Sequence, residues 1–578
     1  MSAAHLLAVL FADHLRYDVK APDYLGNDRF VLSKGHAAPG LYAALKAIGA
    51  YDDEMLLSLR KEGSPLQGHP APIRELPWVD VATGSLGQGL AAGLGMALAM
   101  RLDGVDARVW VMLGDSEMAE GSVWEAMEAT SFHGAANVTA ILDLNRLGQR
   151  GPTMHRWHAE VFRDRAQAFG WTGLVIDGHD VAAIDRAYRE AEAAEDRPTF
   201  IVARTQKGHG VSFLADVEGW HGKALPADRV DAAIAELGGV HDIRVTPPAP
   251  LDLPSEPSSA SSTAARPTYD GPVATRKAFG EALAWLATTN RDVVVLDGEV
   301  GNSTYTEDAQ AAAPERFIEL YIAEQTMVGV QTGLQALGKV AFAATFGAFF
   351  TRAADQIRMG AISRANLRLS GSHAGVSIGE DGPSQMAVED IALFRAIDGS
   401  TVLYPADGAS TVALVERMAT LDGISYLRST REATPVLYGS DEDFSVGGSK
   451  THGDGRDLTL VGAGVTLHEC LVARERLLGD GIDARVIDVY SVKPIDAATI
   501  RRALDETGSL VVVEDHRVEG GLGDAVLDAV AATGALEGRV IKLGVREMPG
   551  SATPEQLRAW AGIDAASIVD AAKVALGR

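Results

Sequence analysis

The chain has 578 residues, 47% of them hydrophobic, and carries 52 basic against 78 acidic side chains for a formal net charge of −26. This length exceeds what one hydrophobic core can organise and predicts roughly three to five domains, while the acidic balance excludes non-specific binding to nucleic acid or to an anionic membrane. A single cysteine, Cys470, excludes an intramolecular disulfide and a thiolate metal cluster, and predicts a small buried side chain in a reducing compartment.

The opening stretch MSAAHLLAVLFADHLRYD is apolar but has no cationic leader and no cleavage site, so it does not read as a signal peptide. ATGSLGQGLAAG (82–93) is dense in glycine and opens an alanine-rich helix. Its spacing differs from a dinucleotide fingerprint, which leaves a tight turn or a backbone-lined cofactor pocket. The β-branched runs 108–115, 137–145 and 198–205 end in small or acidic residues and alternate with amphipathic stretches at 122–134 and 180–194. Such alternation predicts a parallel sheet covered by helices on both faces.

Asp115 closes one of these strands and Asn145 closes the next. In a parallel sheet the carboxyl ends of neighbouring strands lie side by side, where ligands bind. The Asp115 carboxylate, the Asn145 amide oxygen and the Leu147 carbonyl would offer oxygen to a hard cation such as Mg²⁺, which often completes its sphere with phosphate oxygens. Helix capping by the same two side chains is the competing reading.

Residues 245–272 are rich in proline, serine and alanine without apolar periodicity and read as an extended linker. Beyond it the strand pattern recurs at 292–299, 339–346 and 401–407, and again at 457–464, 483–490 and 509–516. Three doubly wound α/β domains follow, over residues 1–243, 271–436 and 452–578, with residues 244–270 as the linker. YIAEQTMVG (321–329) sets one acid, Glu324, inside an apolar run, where carboxylates are rare without a partner. VAFAATFGAFF (340–350) falls short of the ~20 residues of a membrane span, so a soluble, cytoplasmic protein is expected. GAGVTLHE (462–469) lacks the full dinucleotide spacing and reads as a strand-to-helix turn.

The segment LGDSEMAEGSVWEAMEATSFHGAANVTAILDLNRLGQ (113–149) resembles the G-D-G…N signature with which thiamine diphosphate enzymes hold Mg²⁺ and the diphosphate. Together with DRFVLSKGHAAP, GSLGQG, WHGK, ATRKAFG, YIAEQ, FFTRAADQIRM, SHAGVSIGEDGPSQM and VEDHRVEGGLG, in family order from residue 1 to about 575, it is similar to transketolase in the form found in animals. The resemblance implies thiamine diphosphate and Mg²⁺ as cofactors, with Asp115, Asn145 and Leu147 on the metal. Gly84, Ser85, Leu86, Ser116, Gln149 and Lys223 would line the cofactor pocket, with Lys34 and Lys207 as further cations.

On the same resemblance Glu324 would donate a hydrogen bond to a pyrimidine nitrogen of the cofactor, and apolar surroundings would keep it protonated for that role. Phe346 and Phe349 would stack on that ring. His36, His69 and His221 would shuttle protons around the thiazolium and the substrate hydroxyls. Asp381 and Gln385 would read a substrate hydroxyl, and Arg276, Ser303, His373 and Arg431 would bind the phosphate of a sugar phosphate. Arg428, three residues before Arg431, is expected to be a surface charge. Because the diphosphate and pyrimidine sites fall on different domains, the resemblance implies a homodimer with its active sites at the subunit interface, and it sets Glu120 and Glu125 between them.

Two departures bear on activity. Ser116 stands where the signature has glycine, and the family's S-G-H-P segment precedes the stretch that opens here, so a late start or a truncated form is expected. The leading expectation is reversible transfer of a two-carbon ketol unit between xylulose 5-phosphate and ribose 5-phosphate in the pentose phosphate pathway. Alternatives are a transketolase-like cofactor-binding or regulatory protein of low activity, and a 1-deoxyxylulose-5-phosphate synthase.

Overall fold

The computed structural model describes residues 1–253, 264–535 and 537–578; residues 254–263, the middle of the predicted linker, lie outside the described residues. The chain divides into two compact units. One comprises residues 1–258, 325–339 and 362–364, and the other residues 259–324, 340–361 and 365–578.

The first unit is built on a five-stranded parallel sheet in the order Arg29–Leu32, Val109–Gly114, Val138–Leu144, Thr199–Arg204, Thr172–Asp177. The second and third of these are buried along their whole length. Strands covered on both faces carry apolar side chains without alternation, which is why VWVML and VTAIL read as unbroken runs. Gly114 pairs with Asp143 in register, so Asp115 and Asn145 emerge from adjacent strands at the same edge. One core layer packs Leu6, Leu7, Leu41, Tyr42, Leu45, Ile184 and Tyr188 from three helices onto Trp110, Met112, Ile141 and Ile201.

Helix Gly89–Leu102 meets the helix that begins at Glu324 through small residues. A Cβ at Gly95 would stand 2.0 Å from the Val330 carbonyl oxygen, one at Gly333 would stand 1.9 Å from the Ala92 carbonyl oxygen, and one at Gly329 would stand 2.5 Å from the Ala91 methyl. Only glycine lets the two backbones approach this closely. The first part of the linker is laid against this unit: Val245 N–H donates to Ala47 O, Tyr17 N–H to Pro248 O and Leu251 N–H to Gly26 O, at 3.0, 2.9 and 2.9 Å.

Among the described residues the second unit holds two large sheets, besides a two-stranded antiparallel pairing of Val273–Ala274 with Ala433–Thr434. Seven strands run in the order Ser491–Lys493, Thr401–Leu403, Ser425–Arg428, Arg368–Ser372, Val340–Phe346, Val293–Asp297, Phe317–Glu319. All pair in parallel except the edge strand Ser491–Lys493, which comes from the C-terminal part of the chain and pairs antiparallel with Thr401–Leu403. Five strands form the other sheet in the order Lys450–His452, Ala484–Asp488, Leu458–Gly462, Ser509–Arg517, Arg539–Val545. Gly464 turns between Leu458–Gly462 and helix Val465–Gly479 with φ +55, as GAGVTLHE predicts, and Cys470 on that helix is fully buried.

Arg428 is no surface charge. It is fully buried, donating from Nε to Asp390 Oδ2 at 2.8 Å and from Nη2 to the carbonyls of Ala387 and Asp515 at 2.8 Å each. Tyr426 also donates to Asp390 Oδ2, at 2.6 Å, and the guanidinium lies over the Tyr404 ring. Arginine tolerates the interior when its charge is paired; Nε and Nη2 are used here, while Nη1 has no partner among the described residues. Its partner, Asp390, is not visible from the local sequence.

Candidate active site

In the first unit the loops after Arg29–Leu32, Val109–Gly114 and Val138–Leu144 converge with the glycine turn at 84–88. Asp115 and Asn145 are buried, at 8% and 5% exposure. Asp115 accepts from its neighbour Ser116 N–H at 3.0 Å and from Thr153 Oγ1 at 3.1 Å, and burial pushes its carboxyl above the usual range. Asn145 Oδ1 accepts from Leu147 N–H at 3.2 Å. The Leu147 carbonyl accepts from the Lys207 ammonium at 3.0 Å, and the same Nζ lies 3.2 Å from Gly148 O and 3.1 Å from His221 Nδ1. Asp115, Asn145 and Leu147 thus present only oxygen, the donor set of a hard cation.

Beneath them Asp143 is fully buried and paired with Lys34, and it also accepts from Thr205 and Ser2. Burial alone pushes its carboxyl up, but the Lys34 ammonium and these hydrogen bonds bring it down to about 2. Lys34, His36, Asn145, Lys207 and Lys223 line one cavity of about 560 Å³. Three lysines in an acidic chain make this a locally cationic pocket suited to a diphosphate.

Gly84, with φ +127, has no room for a side chain: a Cβ would stand 2.8 Å from the His69 ring carbons. His69 is therefore brought against the glycine turn, while its outer edge is exposed. Gly35 backs onto Gly84, and the His36 and His221 rings lie 4.4 Å apart. Burial, then the Lys34 charge, lowers His36 to about 3, so it is neutral at pH 7. Ser85 and Leu86 are half-buried, and a Cβ at Gly148 would stand 2.8 Å from the Ser116 hydroxyl, which places Ser116 beside that loop. Gln149 is exposed.

Glu117, two residues past Asp115, ties these loops together and has no sequence signal beyond its place in the motif. It accepts from Ser33 Oγ, from Gly87 N–H at 2.8 Å and from Gly114 N–H at 2.9 Å. Thr326 Oγ1 donates to Glu125 Oε2 at 3.2 Å, and Glu120 is exposed at the start of helix Gly121–Phe132. A further trio, His5, His179 and His209, gathers nearby, with His179 stacked on His209 at 3.6 Å. His179 Nε2 accepts from Gln206 N–H at 2.8 Å, so in neutral form its Nδ1 carries the proton toward His5 Nδ1, 3.3 Å away. This is a hydrogen-bonded stack rather than a set of lone pairs converging on an ion.

In the second unit Glu324 heads its helix and is 3% exposed. Its surroundings are not purely apolar, as the sequence reading supposes: Arg352 Nη1 donates to both of its oxygens. Arg352 lies over the Phe349 ring, Phe349 stacks parallel to Phe346 at 5.3 Å, and Phe346 stacks on His373 at 3.8 Å. One face of Phe346 is therefore taken by His373.

Arg276 Nη1 donates to Ser303 O at 2.8 Å and lies 3.5 Å from His373 Nε2, and its Nε is buried without a partner among the described residues. Burial, then the Arg276 charge, lowers His373 to about 4, so it offers a neutral imidazole rather than a cation. Arg431 bridges Asp381 Oδ2 at 3.1 Å and Ile378 O at 3.4 Å. Gln385 is half-buried in the same loop. Arg276, Ser303, His373, Asp381 and Arg431 are thus brought together. Arg352 is the residue missed here: FFTRAADQIRM contains it, but nothing local pairs it with an acid 28 positions away.

Residues 1–255 match the transketolase thiamine diphosphate binding domain, residues 271–436 the transketolase pyrimidine binding domain, and residues 447–568 the transketolase C-terminal domain. The chain is 46% identical over 582 residues to a mouse (Mus musculus) protein named transketolase-like protein 2, covering 99% of this chain and 92% of that protein. It is 44% identical over 583 residues to human (Homo sapiens) transketolase, with the same coverage. In fold it is similar to transketolase from Leishmania mexicana, with a TM-score of 0.85 at 24% identity, covering 100% of this chain and 93% of that one.

Proposed function

Because the chain belongs to the transketolase family and is built of its three α/β domains, we propose that this transferase catalyses reversible passage of a two-carbon ketol unit from xylulose 5-phosphate to ribose 5-phosphate, in the cytoplasmic pentose phosphate pathway. The observation that carries the reading is the exit of Asp115 and Asn145 from adjacent parallel strands beside the Lys34 and Lys207 ammonium groups.

Asp115, Asn145 and the Leu147 carbonyl would hold Mg²⁺, with Lys207 yielding that carbonyl and turning to the diphosphate. When bound, thiamine diphosphate supplies the carbon nucleophile and electron sink that two-carbon transfer requires. Glu324 would donate to the pyrimidine only after it leaves Arg352 and takes up a proton, because a carboxylate held by a guanidinium through both oxygens is an acceptor. His36, His69 and His221 sit where substrate hydroxyls need a donor or an acceptor, and His36 is neutral and able to take a proton. Arg276 and Arg431 anchor the sugar phosphate, with His373 donating or accepting beside them, and Asp381 and Gln385 orient the hydroxyl chain.

The two halves of this machinery belong to different units of the chain, and we read the active form as a homodimer. Tyr321 and Ile322, just ahead of Glu324, expose 45% and 67% of their surface, which supports a contact surface at that edge. A second reading, a cofactor-binding protein of low turnover, is favoured by the similar identity to proteins named transketolase and transketolase-like, and by Ser116 in the diphosphate signature. Assaying the purified chain on xylulose and ribose 5-phosphates, with and without thiamine diphosphate and Mg²⁺, separates the two. Cofactor-dependent formation of a seven-carbon ketose phosphate supports the first; cofactor binding without turnover supports the second.

A further inference from the structure

We propose that Asp515, on a strand of the third domain, is a positioning residue for the sugar-phosphate end of the site. Its side chain is fully buried and points out of its own sheet into the turn that follows His373. Oδ1 accepts from Val376 N–H at 2.7 Å and Oδ2 accepts from Ser377 N–H at 3.2 Å. The carboxylate thereby caps the short 3₁₀ turn Val376–Ile378, whose first N–H groups have no partner within the turn.

The turn needs such a partner because the backbone leading into it is strained. His373 adopts φ +54, a left-handed conformation uncommon for a residue with a side chain, and Gly375 follows at φ +82. A conformation of this kind persists only where the surroundings over-determine it. Ala387 N–H reaches His373 O at 3.4 Å and Gly375 N–H reaches Ala387 O at 2.8 Å, while Asp515 supplies the acceptors for the next two N–H groups. A Cβ at Gly375 would stand 2.1 Å from Asp515 Oδ2, so glycine is what admits the carboxylate.

The same domain backs the far end of the loop. Methyl groups placed on Gly379 and Gly382 would stand 3.1 Å from Pro554 Cδ and 2.8 Å from Ser551 Oγ. Arg428 fixes Asp515 from behind by donating to its carbonyl and to that of Ala387, the residue that brackets His373. The third domain is thus the mould on which the loop bearing His373 and Asp381 is cast.

This inference rests on reading Arg276, His373 and Arg431 as the phosphate end of the site, and the test keeps the two claims apart. Ribose 5-phosphate is titrated calorimetrically into the cofactor-loaded full chain, and KM and kcat are measured separately. Asp515→Asn should weaken ribose 5-phosphate binding and raise KM for xylulose 5-phosphate about tenfold, the scale of an anchoring group moved off its geometry. Thiamine diphosphate affinity should stay at its wild-type value, and KM for unphosphorylated xylulose should rise less than KM for xylulose 5-phosphate. Gly375→Ala, which sets a methyl against the same carboxylate, should give the same pattern. In a His373→Ala background Asp515→Asn should add no further loss, because the two act through one geometry. Wild-type ribose 5-phosphate affinity in either single variant, or full additivity with His373→Ala, overturns the role of Asp515. A wild-type chain that binds the sugar phosphate without turning it over counts instead against the proposed reaction.

Discussion

Arg352 Nη1 lies 3.0 Å from Oε1 and 3.1 Å from Oε2 of Glu324, so a half-exposed cation holds the acid at the head of its helix. Glu324 has to give up both bonds and take up a proton before it can donate to a ligand. Glu324→Gln is expected to leave Mg²⁺-dependent cofactor binding intact and to slow hydrogen–deuterium exchange at the thiazolium carbon by roughly 10²–10⁴-fold, the range of a lost acid–base group. Exchange at the wild-type rate rejects that role. Arg352→Ala should speed cofactor association in stopped-flow fluorescence; a slower association shows that Arg352 assists rather than competes.

Asp115 supplies the charged member of the oxygen trio and Asn145 a neutral one. Asp115→Ala should abolish the rise in melting temperature that Mg²⁺ and thiamine diphosphate give together. For the wild-type chain a ligand at a hundred times its Kd adds about 2.7 kcal/mol. A variant that still gains this stabilisation removes Asp115 from the metal.

Arg431 is 39% exposed and shares its guanidinium between Asp381 and a backbone carbonyl, so it can swing to an incoming phosphate at little cost. Arg431→Ala should raise KM for xylulose 5-phosphate about tenfold, as loss of one charged hydrogen bond of about 1.5 kcal/mol implies. KM for unphosphorylated xylulose should hardly change. Equal effects on both donors place Arg431 away from the phosphate.

The histidines give stability a defined pH dependence. His36 is lowered to about 3 and His179 and His373 to about 4, burial being the first cause in each. Between about pH 6.5 and 4 the unfolded chain binds protons that the folded chain refuses, so each contributes stability at neutral pH that is lost as pH falls through this window. His179→Gln should flatten the fall in melting temperature between pH 6.5 and 4; an unchanged slope shows that His179 protonates without penalty.

Asp488 acts with the opposite sign. It is fully buried, accepts from Tyr438 at 2.7 Å through one oxygen, has no partner for the other among the described residues, and burial pushes it up to about 7. The folded chain keeps a proton there that the unfolded chain loses near its ordinary range, so stability is lost as pH rises through 7. Asp488→Asn should shrink the difference in unfolding free energy between pH 5 and pH 8, measured with urea. An unchanged difference means that the carboxyl ionises freely inside the fold.

How far the sequence carries depends on whether a feature is local. Val109–Gly114, Val138–Leu144, Val293–Asp297 and Ser509–Arg517 are legible because strands buried on both faces are written as continuous apolar runs. Arg368–Ser372 and Ser425–Arg428 are not, because RLSGS and SYLR gain strand character only from the neighbours they pair with. Asp115 and Asn145 are legible as strand ends in a parallel sheet. Arg352 with Glu324, Asp515 with Val376 and Arg428 with Asp390 are not, since a buried charge announces its partner only once the chain has folded.

The edge strand Ser491–Lys493 leaves its own domain to complete a neighbouring sheet, and Lys493 Nζ goes further, reaching the carbonyls of Arg395 and Ile397 and the Ser400 hydroxyl. The seam between the last two domains is therefore sewn rather than butted. A chimaera spliced in the 436–452 connection would leave an open sheet margin on one side and an orphaned ribbon on the other unless both halves of the stitch came from the same parent.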